Sequence, residues 1–152
     1  MKINWNHTYG IVLEINSFKY YVPISSYKSK YEKLKNDLDF FKIINTQTNQ
    51  IYSALNLNNM IPIEDDYVTI LRYDNLRTYR LFKTDEDFEK FVVLLKNELS
   101  IINLNEKLIK KNAKELYYFK IENPNTTMAK RCCNFKFANV KIRFVTILLK
   151  LD

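Results

Sequence analysis

The stretch Tyr9-Gly10-Ile11-Val12-Leu13-Glu14-Ile15-Asn16-Ser17-Phe18-Lys19-Tyr20-Tyr21-Val22-Pro23-Ile24 decides the fold. β-Branched and aromatic residues dominate both arms, and Asn16 tolerates the left-handed conformation a tight turn needs, so residues 9–24 read as a β-hairpin. Pro23 has no N–H to give a ladder, which places it near the end of its strand or on an edge. The polar run that follows, residues 25–35, shows no sustained alternation and reads as a loop with a short helix.

Further strands are expected at residues 38–44, 50–55 and 66–72, with Asn/Thr-rich turns between the first two. The period then changes. Thr84 followed by Asp85, Glu86 and Asp87 is a helix start with negative charge in the first turn, and Phe88, Phe91, Val92, Leu95, Leu99 and Ile102 recur at helical spacing. A second helix is expected from near Asn105 to about Phe119, with Leu108, Ile109, Leu116 and Phe119 as its apolar positions and Pro124 beyond it. Residues 131–151 read as extended, from the alternation around Asn134-Phe135-Lys136-Phe137 and the β-branched run after it. No repeat or linker divides the chain, so a single domain over residues 1–152 is expected.

The 152 residues include 24 Lys+Arg, 17 Asp+Glu and one His, for a formal charge of +7. A chain of this length buries roughly two-thirds of its unfolded surface, enough for a core without disulfides or metal. Its 47% hydrophobic content rules out a disordered polyelectrolyte. No apolar run reaches the ~18 residues of a membrane span, and residues 1–7 lack a signal-peptide core, so a cytoplasmic protein is expected. Gly10 is the single glycine where an average chain would hold about ten, and Asn, Lys, Ile, Tyr and Phe are abundant. That bias looks like an AT-rich gene, so the lysine excess points to a polyanionic partner only moderately.

Several chemistries are poorly served. Cys132 and Cys133 are adjacent, a spacing that rarely fits disulfide geometry, so both are expected reduced. With His7 as the one histidine, a zinc site of the usual Cys/His kind is nearly excluded, and a Ser-His-Asp triad would depend on that residue. One glycine permits no Walker loop or dinucleotide fingerprint. Glu64-Asp65-Asp66 are consecutive, and consecutive carboxylates on a turning chain do not converge on one ion, so they read as a solvated turn.

Ser25-Ser26-Tyr27-Lys28 differ in kind, because they place two hydroxyls and an ammonium at the exit of an expected strand. Metal-free RNA cleavage requires the 2′-hydroxyl in line with the phosphate, charge stabilisation on the phosphorane, and proton transfer at two oxygens. Lys28 can stabilise the phosphoryl oxygens, and Ser26 can hydrogen-bond the phosphate or relay a proton. Taken alone, the motif reads as readily as a Ser-rich turn with a solvated lysine. His7 titrates in the range that suits acid–base work, and equally suits a surface or cap position. The 11 Tyr and 10 Phe invite base stacking, but most fall on apolar faces, where core packing is the default. The basic groups Lys28, Lys30, Lys33 and Lys35, and Lys130, Arg131, Lys136, Lys141 and Arg143, can follow a phosphate backbone or form solvated faces.

An ordered set of patches goes further: Tyr9-Gly10-Ile11-Val12-Leu13-Glu14-Ile15, Lys19-Tyr20, Val22-Pro23-Ile24-Ser25-Ser26 with Lys28, Asp39-Phe40-Phe41-Lys42-Ile43, Ala54-Leu55-Asn56-Leu57, Asn59-Met60-Ile61-Pro62-Ile63 and Cys133-Asn134-Phe135. Together they resemble the ToxN/AbiQ family, endoribonuclease toxins of type III toxin-antitoxin and phage abortive-infection systems. The resemblance implies an α+β fold, a twisted, barrel-like antiparallel sheet similar to the MazF/Kid toxins, with flanking helices. It implies metal-independent RNA cleavage to 2′,3′-cyclic phosphate and 5′-hydroxyl ends, with no cofactor. It further implies neutralisation by a repeated pseudoknot antitoxin RNA within a closed toxin–RNA hetero-oligomer, with cellular or phage transcripts as targets. The family's hydroxyl pair and lysine fall on Ser25, Ser26 and Lys28, with Ser26 at the position treated as catalytic.

The chain departs from the family at both ends, and reads as shortened at the amino end and divergent after about residue 137. Asn6 stands where a basic site residue is expected, with His7 beside it as a substitute. RNA binding is assigned to Lys30, Lys33, Lys35, Lys130, Arg131 and Lys136. The alternative is a catalytically inactive relative that only binds structured RNA, and a third reading is a structural or interaction domain. The strand-like run near residues 143–149 is a candidate replacement for the missing first strand.

Overall fold

The computed structural model describes residues 9–135 and the backbone of 145–148; His7, Lys136, Lys141 and Arg143 lie outside the described residues. The hairpin forms as expected. Strands β1 (Tyr9–Ile15) and β2 (Phe18–Ser26) pair antiparallel from Gly10↔Pro23 to Ile15↔Phe18. Asn16 and Ser17 have φ of 52° and 68°, the two positive values of the turn type whose twist matches a hairpin.

β2 runs past the expected end at Ile24 and organises the sheet. Its first part is lined by β1, and its last residues, Ile24 to Ser26, pair with β4 (Gln50–Asn56), which in turn pairs with β3 (Phe40–Asn45). A two-residue strand, β5 (Ile61–Pro62), follows β4 along β2 and pairs with Tyr20 and Tyr21. Pro23 thus lies inside the strand, at the point where the β1 ladder ends and the β4 ladder begins, so its missing N–H interrupts neither.

β6 (Val68–Leu71) and β7 (Val145–Leu148) complete the order β3-β4-β2-β1-β7-β6. The result is an α+β fold with a largely antiparallel, open sheet; β7 lies between β1 and β6 and is parallel to both. Of the run expected to be extended over residues 131–151, residues 145–148 form a strand beside β1, whereas residues 132–135 form none.

Among the described residues four α-helices lie between β6 and β7 in the chain: α1 (Leu76–Tyr79), α2 (Asp85–Leu104), α3 (Glu106–Glu122) and α4 (Thr127–Arg131). Thr84 caps α2 by accepting from the Asp87 N–H at 3.1 Å, as its sequence signature requires. α1, α4 and β5 were not expected from the sequence, being too short for a period to show. Arg131, expected in an extended segment, closes α4 instead.

The core sits between helices and sheet. Ile11, Leu13 and Ile15 of β1 pack with Ile102 of α2 and with Ile109, Ala113 and Leu116 of α3. Leu108, expected on the apolar face, is exposed instead, one step around the helix from the buried Ile109. On the other side of β1, Val12 meets Tyr21, Ile61 and Ile63. Tyr20, Tyr21, Tyr31, Phe41, Phe88, Phe91 and Phe135 are core residues, whereas Phe18, Tyr27, Tyr67, Tyr73 and Tyr118 are exposed.

Candidate functional site

The site grows from the end of β2. Ser25 and Ser26 are its last two residues, and alternation sends their side chains to opposite faces. Ser25 is half-buried and held twice: Asn56 Nδ2 donates to its Oγ at 2.8 Å, and its hydroxyl shares a 2.6 Å hydrogen bond with that of the buried Tyr31. Tyr31 reaches it from the short 3₁₀ turn Ser29–Glu32 and packs its ring on Phe40, 5.2 Å between centroids. Ser25 is therefore a fixed post.

Ser26 and Lys28 are exposed beside it. The chain leaves β2 in extended conformation, φ −135° at Lys28, and turns when the Tyr31 N–H reaches the Lys28 carbonyl at 2.8 Å. Three residues after the clamped Ser25, the ammonium thus stands at the start of a short, defined turn. Lys30, Lys33 and Lys35 continue from it, all exposed, with Glu32 among them. The tyrosine between the pair, Tyr27, donates to the Glu32 carboxylate, a bond that raises its phenol above the ordinary range.

Across the ladder, Ser26 faces Ser53. Cross-strand partners share a face, and Ser53 is fully buried there, with no hydrogen bond of normal geometry for its hydroxyl. It is still close enough to the buried Glu98 of α2 to favour that carboxylate's charged form. The Tyr9 hydroxyl donates to the same carboxylate, 3.0 Å from each oxygen. Burial outweighs both and pushes Glu98 up to about 7. Burial and the neighbouring carboxylate also raise the Tyr9 phenol.

The second basic group is placed differently. Lys130 is exposed on α4, whereas Arg131 is tied to the buried Asp39 at 2.8 Å, next to the Phe40 that packs on Tyr31. The segment after α4 is pinned by Lys120, whose ammonium donates to the carbonyls of Cys132 and Cys133 and lies 4.9 Å from the Phe135 ring centroid. Tyr20 also donates to the Phe135 carbonyl at 3.1 Å, and the Cys133 N–H to that of Asn58 at 2.8 Å. Both thiols are free, and burial pushes Cys132 up to about 11 and raises Cys133. Asp65 is paired with Lys19 at 2.6 Å, and among the described residues no three His, Cys, Asp or Glu side chains cluster as metal ligands.

The sequence motif did not reveal Tyr31, Asn56, Ser53 or Glu98. Asn56 stood inside one of the ordered patches without a role, and Glu98 was visible as an acid on the apolar stripe of its helix.

The fold is that of toxins from type III toxin-antitoxin systems. The chain belongs to the ToxN toxin family of such systems, whose pattern matches residues 2–142. It is similar to a solved protein of a bacterial antiviral system regulated by a processed non-coding RNA: 27% identical, with a TM-score of 0.65 over 90% of this chain and 76% of that one. Its fold also resembles AbiQ, a lactococcal anti-phage endoribonuclease of the type III system, at 18% identity and a TM-score of 0.57 over 80% of this chain and 68% of that one. A third likeness, at 16% identity and a TM-score of 0.58 over 83% and 71% of the two chains, is to a type III toxin-antitoxin structure in which a non-coding RNA pseudoknot inhibits the toxin. No curated protein sequence matches the chain. Among the described residues no helix is long and apolar enough to cross a membrane.

Proposed function

We propose that the chain is a sequence-selective, metal-independent endoribonuclease toxin of the cytoplasm, neutralised by a repeated pseudoknot antitoxin RNA in a closed toxin–RNA assembly. The observation that carries this reading is the clamped Ser25, which holds the exposed Ser26 and Lys28 at a defined strand end. The substrate's own 2′-oxygen attacks the adjacent phosphorus as the bond to the 5′-oxygen breaks, leaving a cyclic phosphate and a 5′-hydroxyl. Lys28 balances the charge that develops on the phosphoryl oxygens. Ser26 hydrogen-bonds the phosphate or relays the proton that leaves the 2′-hydroxyl and must reach the 5′-oxygen. His7 is assigned to that acid–base work, and Lys30, Lys33, Lys35, Lys130, Arg131 and Lys136 to the RNA backbone.

The test is cleavage of mixed cellular RNA in excess EDTA, with product ends analysed. Cyclic-phosphate ends that disappear in Ser26→Ala, with an unchanged thermal melt, are the expected result; full activity in that variant overturns the assignment. A folded protein that binds RNA in a salt-sensitive way yet cuts nothing would be the RNA-binding relative instead.

A further inference from the structure

β2 ends at Ser26, opposite Ser53 in the middle of β4, and the residues on either side of that pair continue into a groove. Tyr27 follows Ser26, and Tyr52 precedes Ser53, the residue opposite Ser26. The β3–β4 register pairs Ile43 with Ser53 and then Ile44 with Ile51, so Tyr52 is the extra residue of a bulge. A bulge takes such a side chain out of the ordinary alternation and re-aims it. With Glu32, Asn49, Gln50 and Leu94, the two tyrosines line a groove of about 580 Å³, a size for one ligand-sized group rather than a folded partner.

We infer that this groove is the subsite for one unpaired nucleobase of the RNA, the nucleotide next to the phosphate assigned to Ser26 and Lys28, a reading that rests on the ribonuclease function proposed above. The occupant follows from the lining. The Glu32 carboxylate, held by the Tyr27 phenol, repels a phosphate but accepts from a ring N–H or an exocyclic amine. The Tyr27 side chain is exposed and Tyr52 half-buried, and aromatic faces of this kind stack bases of any sequence. The exposed amides of Asn49 and Gln50 both donate and accept, which allows them to discriminate base edges. Phosphate attraction is left to Lys28 and Lys30 on the adjoining turn. Lys30 shares the Ser29–Glu32 turn with Glu32, but of these three charged side chains only Glu32 lines the groove.

The probe is a short single-stranded RNA spanning a bond the protein cuts, with 2′-deoxyribose at that bond to block cleavage and 2-aminopurine on either side. One of the two 2-aminopurines is expected to be quenched on binding. Tyr27→Ala and Tyr52→Ala each weaken affinity about 10- to 100-fold and remove the quenching, whereas Tyr27→Phe keeps both. On the cleavable RNA the alanine variants raise KM more than they lower kcat and relax the base preference beside the bond. Unchanged affinity and quenching in both alanine variants overturns the subsite. Tyr27→Ala, at an exposed position, decides the matter if Tyr52→Ala melts early. A chain that cuts no RNA defeats the ribonuclease reading alone, because the groove is then judged on 2-aminopurine-substituted oligo(A). Quenching lost in Tyr27→Ala supports the subsite there, and an unquenched probe overturns it.

Discussion

Gly10 is held by space rather than by conformation. A Cβ at this position would lie 2.1 Å from the Val22 carbonyl oxygen and 2.7 Å from a ring carbon of Tyr21. The neighbouring strand's backbone cannot rotate away as a side-chain end can. Gly10→Ala is therefore expected to cost about 1–3 kcal/mol, read as a lower urea midpoint. In the sequence this residue stands out as the single glycine and as part of an ordered patch; the clash that requires it exists only once β2 lies against β1. Asn16 is the opposite case, since its tolerance of positive φ is a property of its own side chain and announced the turn directly. Ser25 lies between these cases. Its place in an ordered patch marked it, but the hydroxyl of Tyr31 comes from the turn that follows and the amide of Asn56 from a strand distant in sequence.

Elements with many turns of one period were legible, and short ones were not. α2 announced itself by its cap and apolar stripe, and β1 and β2 by their composition. α4 and the segment to Phe135 have five helical residues and no period, and they take their place through contacts with α3. Lys120 ties this segment alongside Tyr20 and the Cys133 N–H, and it tests the point. Lys120→Met keeps the aliphatic stem but leaves the carbonyls of Cys132 and Cys133 without their charged donor, and it should cost about 1–2 kcal/mol of stability. Burial raises both half-buried thiols while the Lys120 charge lowers them, so its loss alone slows their reaction with a thiol reagent, and a faster rate in the variant is the expected sign that the segment has opened. A slower rate would show that other contacts hold the segment.

At the scale of the whole molecule, the buried Glu98 couples helix to sheet. It belongs to α2, its hydrogen-bond donor Tyr9 to β1, and the nearby Ser53 to β4, with Arg80 and Tyr21 acting electrostatically on Tyr9. Its folded-state value of about 7 lies above the ordinary 4.5, so the folded protein holds a proton that the unfolded chain has lost between these values. Stability from this group is therefore complete below about pH 4.5 and falls as pH rises toward 7, by roughly 3 kcal/mol in total. Urea unfolding between pH 5 and 8 should show that decline in the wild type and lose it in Glu98→Gln, which keeps the shape without the titration. Equal slopes for the two proteins would place the charge elsewhere.

The hairpin, the long capped helix, the family and the Ser25-Ser26-Lys28 motif are legible in the chain, because each is carried by neighbouring residues or by an ordered pattern along it. Only the tertiary structure decided that β2 changes partners at Pro23, that β7 lies parallel between β1 and β6, that Tyr31 and Asn56 clamp Ser25, and that the Tyr52 bulge opens a groove beside Ser26. Those features depend on which surfaces meet across long loops. Register, burial and the pairing of polar groups are settled when the layers pack, and no local period encodes them.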